Sequence, residues 1–291
     1  MGPLRTLTTD DGTRLTWQVG GEDAAAGAPL LLLGGATWSM DWWEDDLCEE
    51  LAASRPVVRF DARDTGGSTQ WPVGEPGYGP DELAADALAV ARAAGATRFH
   101  AVGLSMGGGL AQRLAATAPE RVVSMTLVST SPADADGLDL APPTEALMAT
   151  FAEESPTPDW SDPAAAVDAL VEGERAFAGP DGWDEPRLRA LAARVVARTP
   201  DLAASLTNHL VAVEREGATV RAADVARVPA LVVHGDADPL FPGHGAVLAE
   251  QLGASYVELP GVGHQLPPPH LWPLFVDAVL SHAEAGAVSG S

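Results

Sequence analysis

The chain has 291 residues, enough for one large core or one domain carrying an insertion. It is 46% hydrophobic and 20% charged, a globular balance that argues against a disordered or fibrous chain. The charge is 41 acidic against 17 basic residues, net −24, and every basic residue is Arg; such a surface repels nucleic acid and anionic membranes and argues against both as partners.

In chain order, Leu4 to Thr9 and Thr13 to Val19 alternate around Asp10-Asp11-Gly12, which predicts a β-hairpin. Gly20 to Pro29 reads as a polar loop. Pro29 to Leu33 is a short continuous apolar run, expected of a strand buried on both faces, and it ends in Gly34-Gly35. A helix is expected over Asp41–Ala53, a strand over Pro56–Phe60 and a helix over Pro80–Gly95. Phe99 to Leu104 predicts a strand, Leu110 to Thr117 a helix, and Val122 to Ser129 another strand. From about Ser131 to Val228 no strong strand pattern occurs. Amphipathic helices are expected instead over Thr144–Glu154, Asp162–Phe177, Glu185–Arg198 and Asp201–Glu216. Strands resume at Pro229–His234 and Ser255–Leu259, and a helix over His270–Glu284 precedes a small-residue tail expected to fray.

Strands alternating with helices imply an α/β fold, with a mostly parallel central sheet covered on both faces. The late helical stretch interrupts that alternation. The expected organisation is a core of residues 1–130 and 229–291 with a helical cap inserted at 131–228. The single cysteine, Cys48, is read as a small, half-buried helix residue. Met1 to Thr6 lacks an apolar leader pattern and no apolar run approaches membrane-spanning length, so a soluble cytoplasmic protein is expected.

The chemistry concentrates at Gly103-Leu104-Ser105-Met106-Gly107, a G-x-S-x-G box between a strand and a helix. That context predicts a tight turn that lifts the Ser105 hydroxyl out of the sheet, with glycine on both sides because side chains there would collide. A serine nucleophile needs a base and an acid that orients the base, in chain order Ser, Asp, His. His234-Gly-Asp-Ala-Asp238-Pro239 ends a strand. Asp238 is the favoured acid, Asp236 is expected to bond the turn, and Asp134 and Asp136 are the fallback. His264, after Pro260-Gly-Val-Gly263, is the favoured base. His100 is expected to point into the sheet as a structural residue, and His244 and His270 to be exposed or pocket-lining. An oxyanion hole is expected from the N–H of Met106 and from the turn after the Leu30–Leu33 strand, at Gly35 with Ala36 as its neighbour. No His, Asp or Glu spacing suggests a metal site, and no cofactor is expected.

With these residues the chain resembles the α/β-hydrolase superfamily over nearly its full length. It is more specifically similar to the aclacinomycin methylesterase group of polyketide-tailoring esterases. The matching stretches are Leu33-Gly-Gly35, Arg59 to Ser68, Val102 to Gly107, Asp238 to Gly245 and Pro260 to Pro267. The resemblance implies Ser105 as nucleophile, Asp238 as acid, His264 as base, Gly35 and Met106 as oxyanion donors, and a mostly helical cap over the pocket. Ala36 departs from the group, which can carry a polar residue there.

Trp38, Trp42 and Trp43 follow the oxyanion turn, and Trp160 and Trp183 lie in the helical stretch, which suits a flat or bulky apolar substrate. Trp38 and Met106 are the foremost lining candidates, with Ala36 beside them. Arg63 and Asp64 are expected to brace a loop through a salt bridge. The leading function is hydrolysis of a carboxylic ester, a small-molecule substrate, through an acyl-serine. Cofactor-free haloperoxidase or perhydrolase chemistry on the same triad is the alternative within the fold, and a non-catalytic ligand-binding relative is the alternative outside enzymology. Serine at the elbow excludes the aspartate-nucleophile dehalogenases and epoxide hydrolases.

Overall fold

A computed structural model of the chain describes residues 1–22, 27–153 and 157–289. Eight strands form one sheet: β1 (Arg5–Thr8), β2 (Arg14–Gly20), β3 (Leu30–Leu33), β4 (Val57–Phe60), β5 (Phe99–Leu104), β6 (Val122–Val128), β7 (Ala230–Gly235) and β8 (Ser255–Leu259). Their order is β1-β2-β4-β3-β5-β6-β7-β8. β2 runs antiparallel to both its neighbours, and every pairing from β4 onward is parallel. The helices are α1 (Asp45–Ala52), α2 (Pro80–Ala93), α3 (Met106–Thr117), α4 (Glu145–Ala152), α5 (Pro163–Arg175), α6 (Glu185–Arg198), α7 (Leu202–Ala212), α8 (Ala222–Val225), α9 (His244–Leu252) and α10 (Trp272–Ser289).

The apolar runs behave as a sheet buried on both sides requires. All four residues of β3 are fully buried, and their alternation sends Leu31 and Leu33 into one apolar cluster and Leu30 and Leu32 into the other. The first cluster is closed by α2, α3 and α9 through Leu83, Leu114 and Leu248. The second is closed by α1 and α10 through Leu47 and Phe275, and by α5 and α6 through Leu170 and Leu191. Each such leucine contributes about 1.5–3 kcal/mol from burial.

Several elements differ from the sequence expectation. The helix expected over Asp41–Ala53 is a short 3-10 turn, Met40–Trp42, followed by α1. The Arg59 guanidinium takes the carbonyl of Trp43, which a continuous helix would have used internally. α3 begins at Met106, four residues before the expected start, and Gly107 and Gly108 let it sit close to Leu33 and Thr130, where a Cβ would collide. α9 is additional. Its signals are Val247, Leu248 and Leu252 on one face and Gly253 in the left-handed conformation at its end. The short α8 is additional too. The small-residue tail continues α10 through Ser289, in line with the helix propensity of its alanines. The loop expected over Gly20–Pro29 lies partly outside the described residues, as does Glu154 at the end of the helix expected from Thr144. Cys48 is completely buried rather than half-buried. Its thiol donates to the Trp43 carbonyl at 3.3 Å, and burial pushes it up to about 12. Among the described residues no helix is long and apolar enough to cross a membrane.

Candidate active site

β5 ends at Leu104 and the chain turns at Ser105 directly into α3. Ser105 has φ 53° and ψ −115°, a conformation that side-chain-bearing residues rarely adopt. The surrounding structure imposes it. The Ser105 N–H donates to the Val128 carbonyl at 2.9 Å, and the Thr130 hydroxyl donates to the Ser105 carbonyl at 2.8 Å. A Cβ on Gly103 would stand 2.2 Å from the Gly107 oxygen, and one on Gly107 would stand 2.2 Å from the Leu33 oxygen, so neither position can carry a side chain.

Loops at the ends of β7 and β8 bring the other two groups to the serine. Ser105 Oγ lies 2.9 Å from His264 Nε2, and His264 Nδ1 lies 2.9 Å from Asp238 Oδ2. The ionised carboxylate can only accept, so the ring proton is on Nδ1 and Nε2 is left to accept from the serine hydroxyl. The His264 backbone N–H donates to the Phe177 carbonyl at 2.8 Å, and the rings of Phe177 and Phe241 flank the imidazole. Asp238 is buried. Its Oδ1 accepts from the N–H groups of Leu240 and Phe241, both at 2.9 Å. Burial alone would raise its carboxyl, but the His264 hydrogen bond and charge, with the Phe241 N–H, hold it below the ordinary carboxylate value. Asp236 is exposed and accepts from the Gly261 N–H at 2.7 Å, which ties down the loop carrying His264. Asp134 instead holds the start of α8 by accepting from the Ala222 N–H, and both Asp134 and Asp136 border the cavity over Ser105.

Met106 is the first residue of α3, so its N–H has no acceptor inside the helix. On the facing side, the turn after β3 presses against the serine: a Cβ on Gly35 would be 3.7 Å from Ser105 Cβ. Among the described residues the N–H groups of Gly35 and Ala36 have no acceptor, while the Thr37 N–H donates to His209 Nδ1. A cavity of about 680 Å³ opens over Ser105, Met106 and Ala36, with Leu210, Val213 and Phe241 among its apolar walls. Trp38 lies elsewhere: it stacks on Trp42, their ring centroids 5.0 Å apart, and the two border a separate cavity of about 40 Å³. Trp160 and Trp183 pack against the second apolar cluster. Among the described residues no group of three or more His, Cys, Asp or Glu could hold a metal ion.

His100, His234 and His244 are held inside the fold by hydrogen bonds. His100 is buried, with Nδ1 2.9 Å from Ser124 Oγ, and burial together with the Arg55 charge pushes it down to about 3. His234 Nε2 meets the Phe241 carbonyl at 3.0 Å. His244 is buried between Ser131 and the Ala141 carbonyl, and His270 is exposed. Arg63 and Asp64 do brace their loop, through other partners than each other. Arg63 forms a bidentate pair with buried Asp86 at 2.7 and 2.8 Å, while Asp64 accepts from Tyr78, Asn208 and the Trp71 N–H.

Sequence reasoning expected a helix over Asp201–Glu216, where α7 stands, but missed which of its faces is buried. Its buried face carries Ser205, Asn208 and His209, and its exposed face carries Leu210, Val211 and Val213. This reversal of the usual amphipathic order was readable as three polar residues at helical spacing in an otherwise apolar segment.

The family of proteins with the alpha/beta hydrolase fold matches residues 28–267. A rhodomycin D methylesterase of Streptomyces sp. strain C5 is 34% identical over 98% of this chain and 100% of its own length. Among solved structures, a hydrolase from Pseudomonas aeruginosa superposes with a TM-score of 0.65 at 30% identity, covering 97% of this chain and 98% of its own. An esterase from a Rhodococcus species superposes with a TM-score of 0.69 at 25% identity over the same shares of the two chains.

Proposed function

The chain belongs to the α/β-hydrolase fold family and is a carboxylic ester hydrolase, and we propose that it cleaves the methyl ester of a bulky, polyketide-like substrate through an acyl-serine formed on Ser105. The observation that carries this reading is the Ser105–His264–Asp238 relay, two contacts of 2.9 Å, opening into a 680 Å³ cavity whose walls are largely apolar. The rhodomycin D methylesterase relative supports the methyl ester. Segment 131–228, which among the described residues holds five successive helices between β6 and β7, is taken as the cap over a core of 1–130 and 229–291.

In the proposed reaction Ser105 Oγ attacks the ester carbonyl as His264 Nε2 takes its proton. Asp238 holds the ring in the tautomer that leaves Nε2 free and stabilises the imidazolium. The oxyanion accepts from Met106 N–H and from the Gly35–Ala36 turn, each donor contributing about 3 kcal/mol to the barrier reduction. His264 then protonates the departing methoxide, methanol leaves, and an acyl-serine remains. Water, deprotonated by His264, attacks that carbonyl; the acyl–Ser105 Oγ bond then breaks, His264 returns its proton to Oγ, and the carboxylic acid leaves. The partner is therefore a small-molecule ester. The proposed setting is cytoplasmic, supported by a lone, buried and unpaired cysteine.

The test is Ser105→Ala in the purified protein, assayed on a panel of methyl, p-nitrophenyl and thio esters and lactones. A loss of kcat/KM of about 10⁴-fold or more is expected, with methanol released one-to-one with acid from the preferred methyl ester. Retained hydrolysis in the variant, or peroxide-dependent halogenation without ester turnover in the parent protein, overturns the proposal.

A further inference from the structure

We propose that His209, on α7 of the inserted segment, is a positioning residue for the oxyanion turn. The proposal rests on the reading of Gly35–Ala36 as part of the oxyanion hole.

Three observations carry it. The first is the geometry of the ring. His209 is fully buried. Its Nδ1 accepts from the Thr37 N–H at 2.9 Å, and its Nε2 lies 2.7 Å from the Arg63 carbonyl. A backbone N–H can only donate and a carbonyl can only accept, so the ring is neutral with its proton on Nε2. Burial, which pushes its pKa down, keeps it so. The imidazole thus bridges the loops after β3 and β4, beside the Arg198 bridge that α6 makes between the same two loops.

The second is the backbone it holds. Thr37 has φ 69°, a left-handed conformation that a β-branched residue resists. Both of its backbone groups meet α7, because the Ser205 hydroxyl, one helical turn before His209, lies 3.4 Å from the Thr37 carbonyl. Thr37 does not keep this conformation by its own preference; α7 imposes it.

The third is what the constraint leaves free. With the Thr37 N–H committed to His209, the turn keeps the Gly35 and Ala36 N–H groups unpaired, and Ala36 borders the same cavity as Ser105 and Met106. Oxyanion donors act through fixed orientation, so a strut that fixes the turn acts on the transition state more than on the ground state.

The experiment uses three variants, His209→Phe, His209→Gln and Ser205→Ala. Each is assayed on p-nitrophenyl butyrate and for inhibition by an aliphatic trifluoromethyl ketone, which forms a tetrahedral adduct with a catalytic serine. For His209→Phe, kcat is expected to fall about 10–100-fold, less than for outright loss of a donor. KM should stay within about twofold, and ketone affinity should weaken by the same factor as kcat/KM. His209→Gln, which can still accept and donate, should recover part of kcat, and Ser205→Ala should lose only severalfold. Unchanged kcat in folded His209→Phe, or a kcat loss with undiminished ketone affinity, overturns the proposal. If His209→Phe does not fold, the Gln and Ser205 variants decide by the same ratio. The underlying site reading fails separately: it falls if the parent enzyme is insensitive to the ketone or if Ser105→Ala still turns over ester.

Discussion

The sheet and helix α7, in the segment between β6 and β7, are built by opposite rules. In the sheet, apolar side chains face inward from both sides of β3, β5 and β6, and the proposed catalytic groups stand at strand ends where the chain must leave the core. In the segment, α7 turns Ser205, Asn208 and His209 inward and leaves Leu210 and Val213 facing the cavity. Its neighbour α6 is fastened by charge: Arg198 bridges Asp41 and buried Asp61, and Arg187 grips Glu44. To the apolar packing that Leu170 of α5 and Leu191 of α6 make with the core, the segment thus adds polar contacts. Those contacts land on the loops after β3 and β4, the same loops that shape the site.

This contrast can be broken at three levels. The largest effect belongs to the core. Asp238→Asn should keep the fold yet lower kcat/KM by about 10³–10⁴-fold, because an amide no longer enforces the productive His264 tautomer. Asp236→Asn, two residues earlier, should change it by less than tenfold. Steady-state kinetics on one ester compares the two directly. Equal losses would mean that the carboxylates share the role.

The attachment of the segment comes next. Arg198→Ala leaves buried Asp61 without its counter-charge, and the stability lost should be about 2–3 kcal/mol, below that of a fully buried pair because Arg198 is partly exposed. Burial already raises the Asp61 carboxyl, so the variant should also take up a proton there at higher pH. Arg189→Ala, which removes an exposed pair with Asp168, should leave the urea midpoint unmoved. A segment that melts identically in both variants would refute the idea that polar contacts hold it.

The smallest effect is a pH slope. His100 folds with a pKa of about 3 against an ordinary value of 6.5, so the unfolded chain binds its proton more tightly. The stability it contributes is complete above pH 6.5 and is lost as pH falls from there toward about 3. At pH 5 the loss should reach about 2 kcal/mol. In His100→Asn the decline in urea midpoint between pH 7 and 5 should be shallower. An identical slope would assign the proton uptake to the other buried histidines.

The core was readable because its constraints are local or periodic. Continuous apolar runs gave the buried strands, and the glycines around Ser105 marked a backbone too crowded for side chains. The order of Ser105, Asp238 and His264 followed from strand ends whose spacing the chain itself displays. The expected helix from Asp41 failed because Arg59, on a strand formed later in the chain, captures the Trp43 carbonyl. Trp38 reads from sequence as pocket-lining because it follows the oxyanion turn, yet the turn directs it to Trp42 and away from the cavity that holds Ser105. The role proposed for His209 has no signal in the sequence, since its partners lie 172 and 146 positions away in the chain.

By itself, then, the amino-acid sequence determined the layered sheet, the strained turn at Ser105 and which acid and base could serve it, because strand burial and turn sterics depend on neighbouring residues. Only the tertiary structure decided which N–H groups stay free beside the serine, which side chains border the cavity, and how the segment between β6 and β7 is fixed to the core. Those outcomes depend on hydrogen-bond groups finding partners across long stretches of chain, and nothing in the spacing of residues encodes where such partners will meet.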